Sequence, residues 1–110
     1  MALYAQINVF KAGGYTSEPV ASSLILPEYD REMKTTLTVP ASPHGVSVPL
    51  GMTTAKFIYI ETDKAISVVT NNSIERTAVD GLFFLIGTAA TALGVIAPSG
   101  ATLKIYLAGD

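Results

Sequence analysis

The sequence predicts an all-β protein, a single antiparallel β-sandwich or jelly-roll-like domain of seven to eight short strands spanning residues 1–110. Short runs that alternate apolar and polar residues recur along the chain, as they do in strands whose two faces meet different surroundings. Turn-forming residues separate these runs by about 8–12 residues, a spacing typical of sandwiches and jelly rolls. One stretch, TAATAL at 88–93, could form a single helical turn.

The first predicted strand lies near the start, where Leu3, Ala5, Ile7 and Val9 share one face. Ala12-Gly13-Gly14 ends it. Residues 12–32 then form an irregular excursion with two prolines and no clean period, which contains one short predicted strand at 20–26. We expect this excursion to be used for contacts with other molecules.

The rest of the chain contains most of the predicted sandwich. Two runs rich in Ile, Val, Tyr and Phe, at 57–61 and 65–70, are predicted to form a hairpin hinged on Thr62-Asp63-Lys64. Either Ile58 and Ile60 on one face, or Phe57 and Tyr59 on the other, are expected to be buried together with Ile66 and Val68. Asn71-Asn72-Ser73 is predicted to be a plain turn, followed by a linker at 74–81. The remaining strand-forming runs lie at 33–39, 46–48, 82–87, 92–97 and 102–107.

The composition predicts that neighbouring molecules cover part of the surface. Charged residues make up 15% of the chain and hydrophobic residues 49%, so few charges are available to cover a small domain. Large exposed apolar patches usually mark interaction sites. We therefore expect a homo-oligomer, most plausibly a trimer, with a monomer rich in surface Thr, Ser and Ala as the alternative.

Charge and hydropathy argue against two classes of partner. The net charge is −2 and the seven basic residues are scattered, whereas nucleic-acid binding needs clustered Lys and Arg. No apolar run approaches the roughly 18 residues that span a bilayer, and the first residues do not read as a signal peptide. The absence of cysteine suits assembly in a reducing cytoplasm.

No constellation of residues predicts catalysis, a metal or a cofactor. His44, the single histidine, lies in a proline-rich loop and is predicted to be an ordinary surface residue, although it could act as a general base. The acidic pairs Glu28/Asp30 and Glu61/Asp63 lack the dense oxygen pattern of a calcium loop, and nearby basic residues suggest surface ion pairs. The glycines do not form a phosphate-binding motif.

Aromatic and apolar side chains outside the expected core are the candidate partner contacts. Tyr59 and Tyr106 lie in mid-strand and are expected to pack within the protein, as is Tyr4, although Tyr4 has no assured place in the core. Tyr15 and Tyr29 lie in the irregular segment, where they could anchor an interface or stack on a sugar. The predicted contact residues are Tyr4, Phe10, Tyr15, Leu24 and Tyr29.

Three segments, KFIYIETDKAISVVTNN, GLFFLIG and PSGATLKIYLAGD, resemble small β-sandwich virion proteins of tailed bacteriophages. The similarity covers about 60 residues, from Ser47 to the C-terminus, and it concerns strands and turns rather than a functional site. It implies a non-enzymatic role in a virion assembled in the host cytoplasm. The expected function is capsid decoration or cementing by binding the major capsid protein or other virion proteins.

Two alternatives stay open at this point. Within a virion, the protein could be a tail or head–tail adaptor subunit, which a six- or twelve-fold ring would indicate. From another class, it could be a carbohydrate-binding receptor-recognition module, which would require exposed aromatic rings beside a polar groove.

We expect the substitution His44→Ala to leave folding and particle-level function nearly unchanged, because no second titratable group is predicted to converge on the imidazole. Thermal unfolding and particle assembly would be compared for the variant and the wild type. Loss of an activity with normal assembly would contradict the surface-residue interpretation.

Overall fold

The computed structural model describes the backbone of residues 5–9, 21–25 and 29–110, and the side chains of residues 29–85 and 89–110. Every regular element in these ranges is a β-strand. No helix there is long and apolar enough to cross a bilayer. The strands are β1 (Ala5–Val9), β2 (Ala21–Ile25), β3 (Arg31–Val39), β4 (Val46–Val48), β5 (Ala55–Thr62), β6 (Ile66–Thr70), β7 (Thr77–Val79), β8 (Leu82–Ala90), β9 (Leu93–Ile96) and β10 (Ala101–Gly109).

Strands β3 to β10 form two four-stranded antiparallel sheets, which confirms the predicted sandwich. The larger sheet has the order β3-β10-β5-β8 and the smaller sheet the order β4-β9-β6-β7. The pairs β3–β10, β4–β9, β5–β8 and β6–β7 are nested, as in one long hairpin that has been folded over on itself. This is the jelly-roll arrangement. Strands β1 and β2 pair with each other in a separate two-stranded sheet.

The core lies between the two four-stranded sheets. Alternate residues of β5 and β10 face it, so Ile58, Ile60, Leu103, Ile105 and Leu107 are completely buried. The smaller sheet covers them with its own inward-facing residues, chiefly Ile66, Val68, Val79, Leu93 and Val95. The sequence left two faces of the 57–61 run open, and the structure places Ile58 and Ile60, not Phe57 and Tyr59, in this core. The predicted burial of Ile66 and Val68 is confirmed.

A β-bulge at the start of β5 directs a charged side chain away from this core. Ala55 pairs with Gly109 and Phe57 with Ala108, so Lys56 is an extra residue between two consecutive positions of β10. Ala55 consequently faces the core, and the Lys56 ammonium pairs with the Asp110 carboxylate. Gly109 approaches Thr54 so closely that a Cβ at this position would collide with the Thr54 carbonyl.

The predicted hairpin of residues 57–70 is wrong. Strand β5 belongs to the larger sheet and β6 to the smaller one, so the connection between them crosses from one sheet to the other. The Asp63 carboxylate accepts a hydrogen bond from the Thr102 backbone N–H at 2.8 Å, which ties this connection to the start of β10. Both runs are apolar because both contribute to the core, not because they pair with each other.

Two further details differ from the sequence-based expectations. The segment that was expected to be a linker contains β7, a three-residue strand at the edge of the smaller sheet. The possible helical turn at 88–93 is instead the end of β8 and the turn into β9. Strand pairing decides both cases. For β7, three residues are too few to show a period in sequence.

The substitution Ile60→Ala is expected to destabilise the protein by about 2–5 kcal/mol, because it leaves a cavity in a fully buried position between the sheets. The free energy of unfolding in denaturant would measure this loss. The control is Ile74→Ala, at a side chain that is 97% exposed, which should change stability by less than about 0.5 kcal/mol. Equal effects of the two substitutions would contradict the packing described above.

Candidate functional site

The outward face of the larger sheet is aromatic. A row of four cross-strand neighbours runs across it, namely Lys34 on β3, Tyr106 on β10, Tyr59 on β5 and Phe84 on β8. We call this set the tyrosine row. An outward sheet face is commonly polar when it meets water, so a row with three half-buried aromatic rings is a candidate binding surface.

A small second cluster supports the tyrosine row from one side. The Phe57 ring packs edge-to-face against Phe84, at a centroid distance of 5.2 Å, and against Tyr106, at 5.8 Å. Phe57 is itself buried beneath Tyr29 and beside Ala108. Edge-to-face contacts fix the angles of the rings, so the row is held rigidly.

Hydrogen bonds anchor both tyrosine hydroxyls. The Tyr106 hydroxyl donates to Glu32 Oε2 at 2.7 Å, and the Tyr59 hydroxyl donates to Glu61 Oε1. Burial, together with the bond to Glu32, raises the pKa of Tyr106 to about 12. The bond to Glu61, with a smaller contribution from burial, raises the pKa of Tyr59 above its ordinary value. Both phenols are therefore neutral at physiological pH.

A concavity of about 720 Å³ opens over the two tyrosines. It is lined by the two rings, by Thr35, Thr36 and Ile105, and by the charged side chains of Lys34, Lys104 and Glu61. Flat aromatic surfaces beside donors and acceptors can stack on a planar or sugar-like group and hydrogen-bond its edges. The described lining includes one carboxylate, that of Glu61.

The Lys56–Asp110 ion pair lies near this face, beside Tyr29. The hydrogen bond between the two groups raises the pKa of Lys56 and lowers the pKa of Asp110. Hydrogen bonds from the backbone N–H groups of Thr53 and Thr54 to the Asp110 carbonyl, at 2.8 and 3.1 Å, hold the end of β10 in place. We assign this group a structural role, because these bonds join the end of β10 to the segment that leads into β5.

A smaller groove of about 230 Å³ crosses the outward face of the other sheet. It lies over Gly94, between Ser47 and Val69, which are its cross-strand neighbours. The residues described in its lining include no titratable side chain, so a ligand in this groove would be recognised by its shape and not by its charge.

Of the sequence-predicted contact residues, the structure describes the side chain of Tyr29 alone, which belongs to the cluster beside the tyrosine row. Tyr4, Phe10 and Tyr15 lie outside the described residues. Leu24 lies in β2, opposite Gln6 of β1. Tyr29 was expected to be exposed, but it is only 3% exposed because it packs against Phe57 and Ala108, and burial raises the pKa of its phenol.

Tyr59 and Tyr106 are predicted from sequence to pack within the protein, so the tyrosine row is not among the sequence-predicted contacts. A signal was available in the spacing, because Tyr59 alternates with Glu61 and Tyr106 with Lys104. Residues two apart in a strand share a face, so an aromatic residue two positions from a charged one lies on the outward face.

The other candidate groups have ordinary surroundings. His44 is exposed, and its backbone N–H donates to Ser42 Oγ at 3.1 Å, which shapes the loop between β3 and β4. The Glu61 carboxylate accepts a hydrogen bond from the Tyr59 hydroxyl, and the Asp63 carboxylate accepts one from the Thr102 backbone N–H. Neither forms the expected ion pair with any basic side chain that the structure describes. Among the described residues, no three His, Cys, Asp or Glu side chains are placed to hold a metal ion.

Comparison with known proteins adds no family: no protein-family model matches the chain, and no curated protein matches its sequence.

Alkaline titration should distinguish Tyr106 from a free tyrosine. We expect it to ionise at about pH 12 in the folded protein, compared with about 10 in the unfolded chain. The stabilisation linked to this shift is complete below pH 10 and is lost as the pH rises from about 10 to 12, because the unfolded chain releases its proton first. Tyrosinate absorbance in the near ultraviolet measures the ionisation.

Two variants control this titration. Tyr106→Phe should remove the last ionisation, and Glu32→Gln should lower the pKa of Tyr106 by removing the acceptor's charge. Ionisation of every tyrosine near pH 10, in protein that circular dichroism shows to be folded, would contradict the described environment.

Proposed function

We propose that the protein is a non-enzymatic structural protein of a virion, which binds the major capsid protein lattice as a decoration or cement protein. The observation that carries the proposal is the tyrosine row, a rigid aromatic surface on the outward face of a sheet. The resemblance of residues 47–110 to small phage virion proteins supports the same role. Jelly rolls occur in viral capsid proteins and in lectins, so the fold is compatible with the role but does not determine it.

The chemistry of the tyrosine row is that of a protein-binding hot spot. Tyrosine is enriched among the residues that dominate binding energies, because it combines a large apolar area with a polar tip and few rotatable bonds. Phe57 fixes the Tyr106 ring, and Glu61 and Glu32 fix the two hydroxyls, so little conformational freedom is lost on binding.

Weak individual contacts are sufficient for such a role. A capsid lattice repeats the same surface many times, and simultaneous attachment at several points raises the overall affinity without adding contacts at any one point. The tail or adaptor location stays an alternative within the same proposal, and the symmetry of the protein's positions on a particle separates the two.

A second candidate function is carbohydrate recognition. The concavity over Tyr59 and Tyr106, with Lys34, Lys104 and Glu61 at its margin, supports it. From sequence, Tyr15 and Tyr29 are the expected sugar-stacking residues. Because Tyr29 is buried, the rings of the tyrosine row are better candidates for stacking on a sugar.

The substitution Tyr59→Ala is expected to weaken attachment to particles at least tenfold, by about 1.4 kcal/mol or more, because it removes a central ring of the surface. Co-sedimentation with particles that lack the protein would measure the affinity. Ile74→Ala provides the matched control, since Ile74 is exposed on the β6–β7 connection away from the row. Thermal unfolding of each variant checks that the fold is intact.

The outcomes separate the two functions. Unchanged attachment by folded Tyr59→Ala would overturn the assignment of the tyrosine row. Failure of the wild-type protein to bind any virion particle, together with saturable binding of oligosaccharides that Tyr59→Ala abolishes, would favour carbohydrate recognition.

A further inference from the structure

The four edges of the sandwich are protected unequally. Strands β4 and β7, at the edges of the smaller sheet, have three residues each, which is too short to recruit another strand firmly. Strand β3, at one edge of the larger sheet, is long but contains Arg31, Glu32 and Lys34. Charged side chains on an edge strand discourage pairing with another chain.

Strand β8 is the exception. It is nine residues long, with the sequence LFFLIGTAA, and it contains neither a charge nor a proline. It ends the larger sheet among the described strands, with β5 on its other side. An edge strand of this kind presents a row of backbone N–H and C=O groups that can pair with another strand.

The side chains at the beginning of β8 add an apolar contact to this edge. Leu82 is 56% exposed, and it and Ile74 are the strongly exposed large hydrophobic residues of the described part of the chain. The far end of the strand is already occupied, since the Asn71 amide donates to the Ala89 carbonyl at 3.4 Å. The available edge therefore extends from Leu82 toward the middle of the strand.

We infer that β8 is a self-association edge, at which the β8 strands of two copies pair antiparallel about a twofold axis. The two larger sheets then form one continuous eight-stranded sheet. A twofold axis perpendicular to that sheet keeps outward side chains on the outward side in both copies. Leu82 and Phe84, which both face outward, then meet outward residues of the partner strand.

The observations favour a second copy over other occupants. Antiparallel self-pairing of β8 opposes no like charges, because the strand has none. The interface also closes after two copies. Pairing of β8 with β3 of another copy is discouraged because β3 contains Arg31, Glu32 and Lys34. This geometry gives a dimer, not the trimer expected from sequence, and it does not depend on the proposed attachment to a virion.

Sedimentation equilibrium of the full chain tests the inference. The wild type is expected to show a concentration-dependent monomer–dimer equilibrium, and Leu82→Lys should raise its dissociation constant at least about tenfold by placing two ammonium groups in the pairing edge. The matched control is Ile74→Lys, which makes the same chemical change at an exposed isoleucine on the β6–β7 connection and should leave the equilibrium unchanged.

Single cysteines test the geometry, because the chain contains no other thiol. A twofold axis places only one position of the strand opposite itself, and a disulfide needs Cα atoms within about 7 Å of each other. Under mild oxidation, whichever of Leu82→Cys and Phe84→Cys lies nearer the axis should therefore form a disulfide between two chains much faster than Ile74→Cys. Two thiols lose two electrons and two protons to the added oxidant, such as oxidised glutathione, as the S–S bond forms.

The inference would be overturned by a wild type that stays monomeric at every accessible concentration, by a trimer, by equal effects of the two lysine substitutions, or by equal rates of disulfide formation at the three positions. Slow hydrogen exchange of the β8 edge amides in dilute monomer would also overturn it, by showing that this chain covers its own edge.

Discussion

The nested antiparallel pairing of residues 31–70 with residues 77–109 is the constraint on which the rest of the structure depends. It begins at the turn between β6 and β7, where Asn71 and Asn72 adopt φ values of 55° and 54°, a left-handed conformation that asparagine tolerates better than most residues. Asn71 also joins this turn to the β8–β9 turn, because its side-chain oxygen accepts a hydrogen bond from the Thr91 N–H at 2.7 Å and its own N–H donates to the Ala92 carbonyl. Each further pair in the series then joins strands that are farther apart in sequence.

This pairing determines which strands are central and which are edges. Strand β10 lies between β3 and β5 and is hydrogen-bonded on both sides, so the last residues of the sequence complete the middle of the larger sheet. Gly109 permits the close approach to Thr54 at that point, and the bulge at Lys56 keeps a charge out of the core. Strands β3 and β8 are left as the edges, and their different sequences make one edge charged and the other apolar.

The two proposed contacts are compatible because they meet only at Phe84, the member of the tyrosine row that lies on β8. Attachment uses the outward rings of Tyr59 and Tyr106, while self-association uses the backbone edge of β8. With a twofold axis perpendicular to the sheet, both copies present their tyrosine rows to the same side. A dimer could then engage two neighbouring positions of a repeating surface at once, which is the arrangement that gains most from multivalency.

The sequence by itself determined the fold class, most strand positions and the burial of Ile66 and Val68, because alternation within a strand is a local property that the side chains record directly. It left open whether Ile58 and Ile60 or Phe57 and Tyr59 face the core. Only the tertiary structure decided which strands pair. The runs at 57–61 and 65–70 are equally apolar whether they pair in one sheet or face each other across the core, so their sequence does not distinguish a hairpin from a crossover. The same limit explains the candidate site. Burial of Tyr29 and exposure of the tyrosine row depend on which strand lies alongside which, and that depends on contacts between residues far apart in the chain.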